Sequence, residues 1–394
     1  MKTWCKIIAL LCMLPFVSAC SGDEPAPEPD PQPAEVGRTV LVYMVARNSL
    51  GTYDFDTDDI REMSEAARNG AFGKNRLILF HSTYGSAPSL KEVTPDGVKV
   101  LKSYSQSFSA VESRNMSAVI ADVKAVAPAR RYGIVLWSHA DGWMQTGISD
   151  VDGRKRAFGD DGGKCMNVTT LANVLRGEDF DFVYFDCCFM GGVEVAYQLR
   201  DVTGRVVASP SELPSPGMPY DKTLPFLMAD EADVAGAAKA TFDSYNALTG
   251  NARTCTMTVV DTGLLPDLAE KVRELYMMHP QLGSVADVQQ FAGVRSSFYN
   301  RYFDLGHYME LLSRGEDAYS EACRAASEML GRCVVYSDAT PYLWEHDAFN
   351  SIGYEVKVDN YSGLSTFILQ NPSMSTVSGY DELDWYRDVA SALF

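Results

Sequence analysis

Five short, almost uninterrupted apolar runs rich in β-branched residues limit most what this chain can fold into: TVLVYMVA (39–46), RLILFHS (76–82), YGIVLWSH (132–139), FDFVYFDCC (180–188) and GRVVASP (204–210). A strand that is apolar on both faces must be covered on both faces. Polar or helix-patterned stretches such as Met116–Val126 separate the runs, so the pattern predicts an α/β fold with a mostly parallel central sheet and flanking helices. Helical patterns continue through Ala232–Leu248 and Pro266–Tyr276, while CTMTVVD (255–261) and LSTFILQ (364–370) read as later strands in a C-terminal extension. There is no internal repeat.

The folded part begins near Arg38, and two different segments precede it. Ile7–Ala19 is apolar, follows Lys2 and Lys6, and is too short to span a bilayer, so residues 1–19 read as an export signal. Its end, Val17-Ser18-Ala19-Cys20, resembles the lipobox of bacterial lipoproteins, which implies cleavage before Cys20 and a lipid on that thiol; an ordinary secretory signal with an incidental cysteine is the alternative. Residues 20–37 carry prolines at 25, 27, 29, 31 and 33 with acids between them, a composition that stays extended and solvated and suits a tether. The three expected regions are a lipoprotein signal (1–19), a Pro/acid-rich tether (20–37) and one domain (38–394). Such a protein is lipid-anchored in the bacterial cell envelope, at the outer membrane, facing the periplasm or the surface.

With 34 Lys+Arg against 52 Asp+Glu the formal charge is −18, and loss of residues 1–19 makes it −20. That charge repels phosphate backbones, excludes nucleic acid as the main partner and attracts basic peptides. Cys165, Cys187, Cys188, Cys255, Cys323 and Cys333 remain after export; they are too sparse for a disulfide scaffold and have no zinc spacing. Asp54, Asp56, Asp58 and Glu65 have part of a calcium loop's spacing, but Asp59 stands where the sharp turn wants glycine. Acids stabilised at a helix start are the preferred reading there, so no cofactor is expected, with calcium as the lesser alternative.

In a parallel sheet, active sites gather at the carboxyl ends of strands. YGIVLWSH ends on His139, and FDFVYFDCC ends on Cys188 just before a helix that runs to Leu199. A thiol at a helix N-terminus is expected to have a lowered pKa, and a neighbouring histidine completes a nucleophile–base dyad. The two-residue period puts Asp186 and Cys188 on one face and turns Cys187 into the core. His81, His279, His307 and His346 have no comparable setting and read as core or surface histidines.

The pairing of LWSHADGW with FDCCFMGGVE resembles the clostripain family of caspase-like cysteine peptidases, whose positions fall here on His139, Gly142, Trp143, Asp186, Cys188, Met190 and Glu194. Related stretches occur at YMVARNSL (43–50) with Asp59–Met63, ASPSELPSPGMPY (208–220), YFDLGHYM (302–309) and SGLSTFILQNP (362–372). The resemblance implies a caspase-like α/β sandwich in which Cys188 attacks a peptide carbonyl, His139 handles the proton, and the backbone amides of Ala140 and Cys188 hold the oxyanion. Ala140 departs from the glycine common among relatives. Asp186 fits one of the acids by which family members favour Arg or Lys before the scissile bond, but Pro216 stands where the second acid falls, with Glu212 the substitute on the same loop. Arg154, Lys155 and Arg156 form either a self-processing site or a solvated basic loop. Two competing readings are a non-catalytic lipoprotein that binds peptide or glycan, and a redox protein using Cys187-Cys188. The second is poor because adjacent cysteines form a strained bridge.

Overall fold

A computed structural model of the chain describes residues 35–144, 158–278, 284–292, 302–313, 317–347, 352–369 and 379–393. Residues 1–34, which hold the signal, Cys20 and most of the tether, lie outside the described residues, as do Arg154, Lys155, Arg156 and His279. The fold begins slightly before Arg38, since Val36 and Gly37 at the tether's end already belong to the first strand. All five apolar runs are strands: β1 (Val36–Ala46), β2 (Arg76–Thr83), β5 (Ala129–Trp137), β6 (Phe180–Asp186) and β7 (Arg205–Ala208). They are mutually parallel and stand side by side in the order β7-β6-β5-β1-β2.

Antiparallel strands flank this parallel centre on both sides. On one side lies the hairpin β3 (Ser89–Thr94) and β4 (Gly97–Ser103); on the other lie β8 (Thr256–Asp261) and β10 (Val334–Ala339), which complete a nine-stranded sheet. The chain after β8 is therefore more than an appendage, because it returns to supply an edge of the central sheet. LSTFILQ departs from the expected strand. Only β13 (Ser365–Thr366) pairs, with β9 (Phe303–Asp304), while Phe367, Ile368 and Leu369 are buried without joining a ladder. β11 (Tyr342–Asp347) and β12 (Ile352–Lys357) form a separate hairpin.

Strand alternation sorts the core into two layers. Leu41, Tyr43 and Val45 of β1 face α3 (Ser113–Val126), α4 (Val168–Leu175), α5 (Val193–Gln198), α8 (Leu265–Met278), α9 (Leu305–Leu312) and α10 (Asp317–Cys333). Val40, Val42 and Met44 face α2 (Phe55–Arg68), α6 (Tyr220–Leu227) and α7 (Val234–Asn246). The result is the expected α/β sandwich, a sheet buried between two helical layers. A four-residue helix, α1 (Ser49–Thr52), follows β1 directly and lies at the carboxyl end of the sheet. Among the described residues no helix is long and apolar enough to cross a membrane.

Three of the four acids weighed for calcium sit in separate settings. Asp56 Oδ2 bonds His81 Nε2 at 2.7 Å, Asp58 pairs with Arg61, and Asp54 adopts left-handed backbone before α2. His81 is buried, as a core histidine, between Asp56 and Lys91, whose Nζ lies 2.9 Å from Nδ1.

Candidate active site

Because β1, β5 and β6 are parallel neighbours, the segments that leave their carboxyl ends meet above the sheet. β5 stops at Trp137 and β6 at Asp186, so His139 and Cys188 sit two residues beyond their strands, in the connecting turns. Both line one small cavity of about 70 Å³, together with Asp186, Glu212, Leu50 and Gly217. The four residues singled out from the sequence for chemistry and recognition are thus gathered in one place. A larger groove of about 910 Å³ lies near the opposite ends of the strands and is lined by paired charges such as Arg205 and Asp261. It contains neither a cysteine nor a histidine.

The turn after β6 is unusual in its backbone. Phe189 has φ 61°, left-handed conformation that a bulky residue adopts only when its surroundings impose it. Here they do: Phe189 N–H donates to Ser211 O and Gly191 N–H to Ser209 O, both at 2.9 Å, and the Phe189 ring stacks on Tyr302 with centroids 4.2 Å apart. Gly142, at φ 65° in the histidine loop, packs so closely that a Cβ there would lie 2.7 Å from Phe189 O. The two loops are therefore fitted to each other. Among the described residues, no backbone carbonyl accepts from the Ala140 or Cys188 N–H.

Cys187 and Cys188 diverge as the strand period predicts. Cys187 is buried and donates its S–H to Leu136 O at 3.0 Å, while Cys188 faces the cavity, half-buried, with Leu213 O at 3.6 Å. Both cysteines are free thiols. The expected lowering of the Cys188 pKa is not found. Burial pushes it up, and the negative charges of Glu212, Asp141 and Asp186 push it further. Helix α5 starts only at Val193, so Cys188 lies outside its first turn, where a helix terminus acts most strongly.

Asp186 lies at the cavity floor, 5% exposed, where its carboxylate accepts from Met218 N–H at 2.9 Å and Tyr220 O–H at 3.1 Å. Gly217, at φ 65°, lets the loop 213–217 lie across that carboxylate, since a Cβ there would meet Asp186 Oδ1 at 2.7 Å. Pro216 is exposed on the same loop, and Glu212 is half-buried beside Cys188. Two acids from the family-related stretch Asp59–Met63, given no site role from the sequence, stand behind Asp186. Asp59 is buried and accepts from Trp137 Nε1–H at 2.6 Å, and Glu62 accepts from Tyr220 N–H at 2.9 Å. Burial raises the pKa of all three, with Asp186 repelling Asp59 and Glu62 repelling both. Their i, i+3 spacing on α2 was the available signal.

His139 Nε2 lies 2.8 Å from Ser49 Oγ, a second contact that the sequence did not disclose. Beyond the histidine loop, Trp143 packs on Phe367 and Tyr380 with centroids 4.8 and 4.9 Å away. Glu194, completely buried in the first turn of α5, accepts from Thr366 O–H, Phe367 N–H and Tyr380 O–H at 2.8–2.9 Å. One C-terminal segment thereby braces both loops.

The sequence profile of the clostripain family matches residues 42–392. Comparison with curated proteins finds no match. Among solved structures, an inactive zymogen C11 protease from Parabacteroides distasonis is 26% identical with a TM-score of 0.78, covering 91% of this chain and 99% of its own. A secreted C11 cysteine protease from Bacteroides thetaiotaomicron, in complex with an irreversible peptide inhibitor, is 28% identical with a TM-score of 0.76 and the same coverage. A further secreted C11 cysteine protease from that organism, 24% identical over 92% of this chain and 100% of its own, shares the fold at a TM-score of 0.78. A family profile that spans nearly the whole described chain, on a sheet that brings a histidine and a cysteine to one cavity, identifies this chain as a cysteine-type peptidase belonging to the clostripain family.

Proposed function

We propose that the protein is an endopeptidase whose chemistry runs through a His139–Cys188 dyad, carried by the single observation that both side chains line the cavity floored by Asp186. The Cys188 S–H proton passes to His139 as the sulfur attacks the peptide carbonyl carbon. The backbone N–H groups of Ala140 and Cys188 receive the developing oxyanion. As the C–N bond breaks, His139 returns the proton to the leaving amine, and water then hydrolyses the thioester. Burial and the neighbouring acids raise the Cys188 pKa, which favours forming the thiolate during the transfer rather than beforehand.

Glu212 and Asp186 both raise the Cys188 pKa and both line the cavity. A cationic side chain placed between them offsets their field at the sulfur, so a basic residue before the scissile bond is both held and used. With Pro216 exposed where relatives carry a second acid, this preference is weaker than in those relatives, and cleavage at Arg154–Arg156 is slow or absent. The lipobox-like end of residues 1–19 supports a lipid anchor at Cys20 in the cell envelope. A substrate library varied at the residue before the cleaved bond tests the reading. The expected profile favours Arg and Lys modestly and disappears in both Cys188→Ala and His139→Ala. Near-exclusive Arg cleavage with rapid self-processing contradicts the specificity, and activity in Cys188→Ala contradicts the mechanism.

A further inference from the structure

We propose that Ser49 is a positioning residue for His139, holding its ring through Nε2 so that Nδ1 is the nitrogen that exchanges a proton with Cys188. The assignment rests on the dyad reading above and adds to it a third residue from a different strand end. Its basis is the 2.8 Å contact between Ser49 Oγ and His139 Nε2.

Ser49 is itself held in place. The preceding residue, Asn48, is buried; its side chain accepts from Leu50 N–H at 2.9 Å and donates to Val45 O and Asp160 O, both at 2.9 Å. It also donates to Ser138 Oγ at 3.3 Å, and Ser138 immediately precedes His139. One amide thus links the segment that carries Ser49 to the segment that carries the histidine. Gly51 adds a steric requirement: a Cβ there would lie 2.0 Å from Ala46 O, so only glycine lets α1 fold back this tightly on the end of β1. The tight return puts Ser49 beside His139 and Leu50 in the cavity wall.

The protons balance with Ser49 as an acceptor. In the resting pair Nε2–H donates to Ser49 Oγ and Nδ1 carries the lone pair. The Cys188 S–H bond breaks, an N–H bond forms at Nδ1, and Nε2–H continues to donate to Ser49 in the imidazolium. That Nδ1 proton later leaves with the amine. Ser49 neither gains nor loses a proton; it selects the tautomer that can act as a base. A hydroxyl donating to Nε2 instead would leave the proton on Nδ1 and no base toward the thiol.

The test compares wild type, Ser49→Ala, Ser49→Thr and His139→Ala on one fluorogenic peptide, with kcat and KM followed across pH and the His139 tautomer read by ¹⁵N NMR on the whole protein. Ser49 is exposed, so alanine is compatible with its place in the first turn. Loss of a hydrogen bond to a charged ring predicts about a tenfold fall in kcat for Ser49→Ala with KM within about twofold. Its acid limb should move to lower pH, because the imidazolium is no longer stabilised, and Ser49→Thr should restore both kcat and the limb. Wild-type His139 should carry its proton on Nε2. An unchanged Ser49→Ala profile, or equal losses in Ala and Thr with an unmoved limb, overturns the assignment to Ser49. Hydrolysis surviving in His139→Ala overturns instead the dyad on which the assignment rests.

Discussion

Asp186, Asp59 and Glu62 form a stack of acids beneath the cavity, held by hydrogen bonds from Tyr220 and Trp137, with the charges of Arg61 and Lys222 partly opposing the rise at Glu62. The raised values of Asp59 and Asp186 have a definite consequence for stability. Each binds its proton more tightly folded than unfolded, so the stabilisation is complete below the ordinary value near 3.8 and is lost as pH rises through the raised folded values. Asp59→Asn and Asp186→Asn should therefore lose less stability than wild type across that rise, measured by urea midpoint against pH. A steeper decline in the variants contradicts the burial argument. Asp186→Asn should also narrow the Arg-over-neutral rate ratio. Asp186 and Cys188 were legible because a strand alternates every two residues. Asp59 and Ser49 were not, because they reach the site by the return of α1 and α2 over the sheet end, and no local pattern records which strand end a helix will cross.

At the scale of elements, the parallel strands were legible because burial on both faces removes polar residues altogether. The β3–β4 hairpin was not: it is an edge, with Val98 and Val100 exposed and lysines interleaved, so its pattern resembles loop. LSTFILQ failed for the opposite reason, since Phe367–Leu369 are apolar through packing on the aromatic cluster rather than through a ladder. That segment depends on Glu194. Glu194→Ala leaves the Thr366, Phe367 and Tyr380 donors without their acceptor and should destabilise by about 3 kcal/mol, read from the urea midpoint. A shift under about 1 kcal/mol would show that the segment is held by its rings alone. Gly142→Ala should reduce kcat strongly, because its Cβ collides with Phe189 O and parts the two loops.

For the whole molecule, the sheet's polarity decides where chemistry occurs: parallel strands end together, and the histidine and cysteine arrive on adjacent ones. The formal charge of −18 gives the molecule as a whole a negative field that attracts basic peptides. Raising ionic strength should lower kcat/KM for Arg or Lys substrates while leaving neutral ones little changed, and equal responses contradict electrostatic steering. The central claim, that Cys188 is the nucleophile activated by His139, is tested most directly by intact-mass and peptide mapping after treatment with an electrophilic peptide ketone. Wild type and Cys187→Ala should each gain one adduct, mapped to Cys188, His139→Ala should label far more slowly, and Cys188→Ala should gain none. An adduct on Cys187, or hydrolysis that persists in Cys188→Ala, contradicts it.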